Sequence, residues 1–295
     1  MILPNLIIVG AAKSGTTSLH NYLNQHPDVF MCDPKEPHFL INKEIGLKRI
    51  PIAISDINDY EKLFLGYSDI RYRGESSVMY LMYPEIVIPK IKSLLGEETR
   101  IIIMLRNPVD RAYSGYYHLK RYNIKENKDF ETAWDISEER YFNNEDMPPS
   151  SRYKELGMYH SQVKSYLDNM MNVHVIIYDD YKDNFDTEMN KVFNFLDIPP
   201  IKIDTHKKHM VGGWEWQSNK VKRIMMSQNI LKSLMKIFLP FSNVRRMIRN
   251  FIRDISVIRT PEMDISTRSM LNRFYKKDVH NLSNLLGRDL NHWVK

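Results

Sequence analysis

Residues Leu6–Ser18 read LIIVGAAKSGTTS. Leu6 to Val9 is an unbroken apolar run that ends at Gly10, the pattern of a strand buried on both faces of a parallel sheet. Thr16 to Gln25 carries Leu19, Tyr22 and Leu23 at helical spacing, and His26-Pro27 stops the helix. The turn between strand and helix holds Gly10 and Gly15, which let the backbone bend tightly so that successive N–H groups face one anion. The helix start beyond Gly15 adds the positive end of its dipole. Thr16, Thr17 and Ser18 bring hydroxyl donors. These features together describe a phosphate cradle.

Gly10 and Gly15 have the spacing of the G-x-x-x-x-G-K-[ST] loop of ATP-binding proteins, but Thr16 stands where that loop has its lysine. The lysine lies inside the turn, at Lys13. This placement suits a nucleotide with one 5′-phosphate and a terminal sulfate, which needs a cation near the bridging oxygen and has no β,γ-phosphate pair to span.

Pro84 to Leu95 reads as a helix with Ile86, Val87, Ile91, Leu94 and Leu95 on one side. Arg100 to Leu105 (RIIIML) is the strongest strand signal in the chain. Arg106 follows it at the carboxyl end, and Pro108 opens the next helix where a missing N–H costs nothing. Ser114 falls about two turns into that helix, among Tyr113, Tyr116 and Tyr117. An arginine there can hold a phosphate through two hydrogen bonds, so Arg106 with Ser114 marks a second anion site. Val173–Tyr178 reads as a strand, Phe185–Leu196 as a helix, and Ser266–Leu286 as a last helix stopped by Gly287. Residues 123–152 are polar and expected to be irregular in part. The expected fold is α/β: a P-loop-like central parallel sheet with helices on both faces and a helical C-terminal part, in a single domain over 1–295. Ligands of such sheets sit at the carboxyl ends of the strands.

The 295 residues include one cysteine, Cys32, which excludes a disulfide framework or a multi-cysteine metal centre. No His/Cys cluster suggests a metal. No run approaches the roughly 20 apolar residues of a membrane span, and the first residues lack a basic leader, so a cytoplasmic protein is expected. The net charge is +6, but Lys207–Arg259 alone carries 12 Lys and Arg against Glu215 and Asp254, leaving the remainder acidic. This basic, amphipathic stretch reads as a helical insertion at about 220–260. It suits either an anionic or membrane-attached partner or a solvated helix face. Trp214 and Trp216 suit stacking on a sugar or adenine ring, or simple packing.

LIIVGAAKSGTTSLHNYLNQHPDVF and RIIIMLRNPVDRAYSGYYH together resemble the PAPS-dependent sulfotransferase family, in particular its heparan-sulfate and bacterial carbohydrate branch. KEPHFL (35–40), GESSVMY (74–80), YHSQVKSYL (159–167), VIIYDDY (175–181), FNFLDIP (193–199) and LLGRDLNHW (285–293) extend the likeness over nearly the whole chain, except 41–70, 123–150 and 220–260. The resemblance implies transfer of the sulfuryl group of PAPS to a hydroxyl or amine, on a carbohydrate, with PAP as product. It implies that Lys13, Ser14, Gly15, Thr16 and Thr17 hold the 5′-phosphosulfate and that Arg106 and Ser114 hold the 3′-phosphate. Lys207, Lys208, Gly212 and Gly213 would close over the nucleotide. Glu36 matches the family's catalytic base, with His38 two residues on as a competitor. Several heparan enzymes have a catalytic lysine where this chain has Ser76, so stabilisation of the transferring group would rest more on Lys13.

Charge arguments agree with that assignment. A hydroxyl acceptor needs a base, here Glu36, and Lys13 would neutralise the departing phosphate oxygen, with no metal required. Two other functions fit parts of the sequence. VIIYDD, ending at Asp179 and Asp180, has the shape of a magnesium-holding strand end of a small-molecule kinase. The basic 220–260 stretch alone would suit a non-catalytic polyanion or membrane binder. Nucleic acid is not expected as a partner.

Overall fold

The computed structural model describes residues 1–123, 125–206, 213–226, 247 and 256–295. Lys207, Lys208 and Gly212, and most of the 220–260 stretch, lie outside the described residues.

Five parallel strands form the central sheet: β1 (Leu6–Gly10), β2 (Val29–Met31), β3 (Tyr72–Glu75), β4 (Arg100–Leu105) and β5 (Val173–Ile177), in the spatial order β2-β3-β1-β4-β5. β1 is buried over its whole length between β3 and β4, with Leu6 level with Gly74 on one side and Arg100 on the other. The chain first fills the β2–β3 side and then crosses to β4 and β5. The strand order therefore reverses beside β1, which is where an open α/β sheet leaves a crevice at its carboxyl edge.

Alternate side chains along each strand go to opposite faces. Ile7, Val9, Ile101, Ile103 and Leu105 pack with residues of the helices Pro84–Lys90, Pro108–Tyr122, Tyr159–Asn169 and Ile265–Leu286. Leu6, Ile8, Ile102, Met104 and Ile176 pack with the helices Thr16–Leu23 and Phe185–Leu196. Helices thus cover both faces, as the sequence pattern predicts.

Several elements differ from that prediction. The expected Pro84–Leu95 helix is α-helical only to Lys90 and ends in a wide π turn over Ile91–Leu95. Pro89 inside it has no N–H for the ladder and loosens the turn that follows. The stretch expected to be irregular contains the helices Phe130–Asp135 and Ser137–Asn143, the first capped by Asp129, whose side chain accepts from Thr132 N. A two-stranded antiparallel ribbon, β6 (Trp214–Trp216) with β7 (Val257–Arg259), brackets the basic stretch.

Candidate active site

A cleft of about 1550 Å³ opens at the carboxyl edge of the sheet. The turn after β1 forms its floor. Gly15 sits at φ +94°, and a Cβ there would lie 3.0 Å from both Met104 and Tyr178, so both conformation and space require glycine. Gly10 packs just as closely: a Cβ would stand 2.7 Å from that of Leu81. Ala11 N donates to Met104 O at 2.7 Å and Arg106 Nη1 donates to Lys13 O at 3.3 Å, which ties the turn to the end of β4. The N–H groups of Gly15, Thr16 and Thr17 have no acceptor among the described residues. They are the unsatisfied donors of the start of an eight-residue helix, and their residues line the cleft.

Lys13, Gly15, Thr16, Thr17 and Ser18 line this cleft, as do Arg106, Ser114, Glu36, His38 and Gly213. Ser14 does not. It is fully buried, and its N–H donates to Ala11 O at 3.3 Å, so it supports the turn from behind. Lys13 and Arg106, which a nucleotide phosphorylated at two positions would need in one crevice, are in direct contact.

Three residues of this wall hold positive φ although none is glycine: Lys13 (69°), Glu36 (64°) and His38 (50°). Such backbone is costly for ordinary side chains and concentrates at functional sites. Burial lowers the affinity of Lys13 for its proton, and the charges of Arg121 and Arg106 lower it further, to a pKa of about 8. Burial would raise the Glu36 carboxyl, but Lys35 at 2.6 Å and His38 at 3.3 Å outweigh it and hold the group at about 2. Glu36 is therefore ionised at neutral pH. His38 is buried, its N–H donates to Ser77 Oγ at 2.9 Å, and its Nε2 faces Glu36. The two candidates for the base form one pair, with Glu36 the more open to the cleft.

The sequence reading stopped at Ser114 and missed two further residues of the same helix. His118 Nδ1 lies 3.4 Å from Lys13 Nζ. Burial first, and then the charges of Lys13 and Arg121, push this imidazole down to about 3, so it is neutral and accepts from the lysine. Arg121 follows one turn later, buried but on the cleft wall. The signal was the spacing itself: positions 114, 118 and 121 recur at three to four residues and share one helix face.

The model of the sulfotransferase domain matches residues 3–227. The chain belongs to the sulfotransferase family. A solved sulfotransferase from Alicyclobacillus acidocaldarius superposes with a TM-score of 0.76 at 29% identity, covering 100% of both chains. Carbohydrate sulfotransferase 15 of Mus musculus is 23% identical over 253 residues, 68% of this chain and 44% of that protein. The bifunctional heparan sulfate N-deacetylase/N-sulfotransferase 2 of Homo sapiens is 35% identical over 118 residues, 39% of this chain and 13% of that protein. This sulfotransferase thus spans less than half the length of these curated relatives.

Within this sulfotransferase the loop bearing Glu36 and His38 is anchored from below by β3. Glu75, wholly buried at the end of that strand, accepts hydroxyl hydrogen bonds from Ser77 (2.5 Å), Tyr60 (2.7 Å) and Tyr80 (3.0 Å). Ser77 Oγ in turn receives His38 N, and Tyr80 Oη receives Leu40 N at 3.0 Å. Burial pushes the Glu75 carboxyl up, and the three hydroxyls draw it back. Ser76 is buried and its hydroxyl lies 2.8 Å from His20 Nδ1. Asp179 accepts from Trp293 Nε1 at 2.7 Å and Asp180 pairs with Arg288, so both acids of the kinase-like strand end are tied to the C-terminal segment. Neither is on the cleft wall. Among the described residues no three His, Cys, Asp or Glu side chains are grouped to hold a metal, and no helix is long and apolar enough to cross a membrane.

Proposed function

We propose that this sulfotransferase moves the sulfuryl group of PAPS onto a hydroxyl or amine of a carbohydrate. The observation that carries the reading is the convergence of two anion-holding groups at one crevice. The open N–H groups of Gly15, Thr16 and Thr17 stand beside Lys13, and Arg106 touches Lys13 from β4. A nucleotide with phosphates at both ends of its ribose fits these residues. Lys13, Gly15, Thr16, Thr17 and Ser18 would hold the 5′ end, and Arg106 with Ser114 the 3′-phosphate. Lys13 would neutralise the leaving phosphate oxygen, and Glu36 would take the acceptor proton. The depressed proton affinity of Glu36 depends on Lys35; an acceptor that drew Lys35 away would raise it toward the ordinary carboxylate range. The carbohydrate acceptor follows from the relatives, both of which carry a carbohydrate or heparan sulfate in their names.

Titration calorimetry with PAP and PAPS, followed by transfer of labelled sulfate from PAPS to a panel of oligosaccharides, tests the reading. Binding of both nucleotides without magnesium and labelled sugar product are expected. Absence of PAP binding, or phosphate transfer from ATP in the presence of magnesium, overturns it.

A further inference from the structure

Among the described residues, Arg121 is a buried cation with no carboxylate paired to it. It is only 3% exposed, yet it lines the cleft. Its Nε donates to Tyr117 O at 3.0 Å, and its guanidinium carbon lies 4.9 Å from the centre of the Trp214 ring. Trp216 Nε1 donates to the Arg121 carbonyl at 3.1 Å, so the β6–β7 ribbon grips this residue at two points. Among the described residues no carboxylate or carbonyl meets its two terminal nitrogens. Burying an arginine without a counter-charge costs several kcal/mol, and most buried arginines are paired. A side chain held this firmly, with its terminal donors open among the described residues, is built for an anion that arrives from outside.

The position on the helix narrows the choice of anion. Ser114 and Arg121 are seven residues apart, about 10 Å along the helix axis. Arg121 thus stands about two helical turns beyond the Ser114 hydroxyl assigned to the 3′-phosphate. Arg121 is instead the cation whose charge bears most strongly on Lys13, and it also bears on His118. Lys13, His118 and Arg121 converge next to Glu36, where the transferred group must pass between donor and acceptor.

We propose that Arg121 is a catalytic residue that donates hydrogen bonds to the sulfuryl oxygens during transfer. The proposal rests on the donor reading above. In the step, the bond from sulfur to the 5′-phosphate oxygen breaks, and that oxygen keeps the electron pair beside Lys13. The acceptor oxygen or nitrogen forms the new bond to sulfur, and its proton passes to Glu36. Charge on the sulfuryl oxygens faces Arg121 throughout.

PAP and PAPS differ only in the sulfuryl group, so their affinities separate the roles. Arg121→Gln should leave the Kd for PAP within threefold, weaken PAPS at least tenfold relative to PAP, and lower kcat about 100-fold, the usual loss for one donor to a developing anion. Arg121→Lys should recover part of both losses. Equal weakening of PAP and PAPS would assign Arg121 to a phosphate or to the fold and overturn the proposal. A raised acceptor KM with unchanged kcat would assign it to the acceptor, with the same result. If Arg121→Gln does not fold, the Arg121→Lys protein decides by the same PAP-to-PAPS ratio. If the unaltered protein binds neither nucleotide, the donor reading itself fails, an outcome distinct from these.

Discussion

Two buried charged groups of this sulfotransferase stand on opposite sides of β1 and are treated in opposite ways. On the β3 side, Glu75 has three hydroxyl partners and no opening to the cleft. On the β4 side, Lys13 meets a neutral histidine, Arg121 lies against the Trp214 ring, and the two charges repel. A buried charge with its hydrogen bonds made is a structural anchor; one with them unmade is a site in wait of a ligand. The first fixes the backbone of the Glu36–His38 loop. The second stores unfavourable electrostatics that an anion relieves.

The contrast can be broken by mutation. Glu75→Ala would strip three hydroxyls of their acceptor and leave a cavity, so unfolding free energy should fall by about 3 kcal/mol or more, read by urea denaturation. A loss below about 1 kcal/mol would remove Glu75 as the anchor. Glu36→Gln keeps the shape of the loop but cannot take a proton. Turnover should fall at least about 100-fold while PAP affinity stays intact, and near-normal turnover would take Glu36 out of the chemistry.

The cation corner should respond to pH. Lys13, at about 8, is charged at neutral pH and loses its proton as the pH climbs through that value. Affinity for PAP, measured by calorimetry from pH 7 to 9.5, should decline above pH 8 by up to about tenfold per unit. Its folded value lies below the ordinary 10.5, so the charge works against the empty fold at neutral pH. That penalty is relieved as the pH rises from about 8 toward 10.5. Lys13→Met should therefore stabilise the empty protein, by about 1 kcal/mol, while abolishing PAP binding. A variant less stable than the parent would show that the lysine is well accommodated without a ligand.

The legibility of the chain in its sequence followed the same division. Leu6–Gly10 and Arg100–Leu105 were plain because fully buried parallel strands are continuous apolar runs, and Gly15 was plain because its turn admits nothing larger. β3 was not read as a strand. Its residues, YRGE, include two charges and a glycine over four positions, too few for any period. The Arg73 side chain is spent on the carbonyls of Leu3 and Ile70, a tertiary contact that sequence spacing does not reveal. The ribbon was missed because its strands pair Trp214 with Arg259 across a long separation. Arg121 drew no reading from the sequence; its spacing puts it on the face of Ser114 and His118, but the packing of Trp214 on it is what sets it apart.

That ribbon has a consequence for how the family can diversify. Trp216 pairs with Val257, and Gln217 N donates to Ser256 O at 2.9 Å, so the two ends of the intervening stretch are held side by side. Lengthening a stretch closed in this way costs only about 0.6 kcal/mol per doubling. A change in the number of residues between these two ends thus costs the fold little, and the segment can vary in length while the turn after β1 keeps its shape.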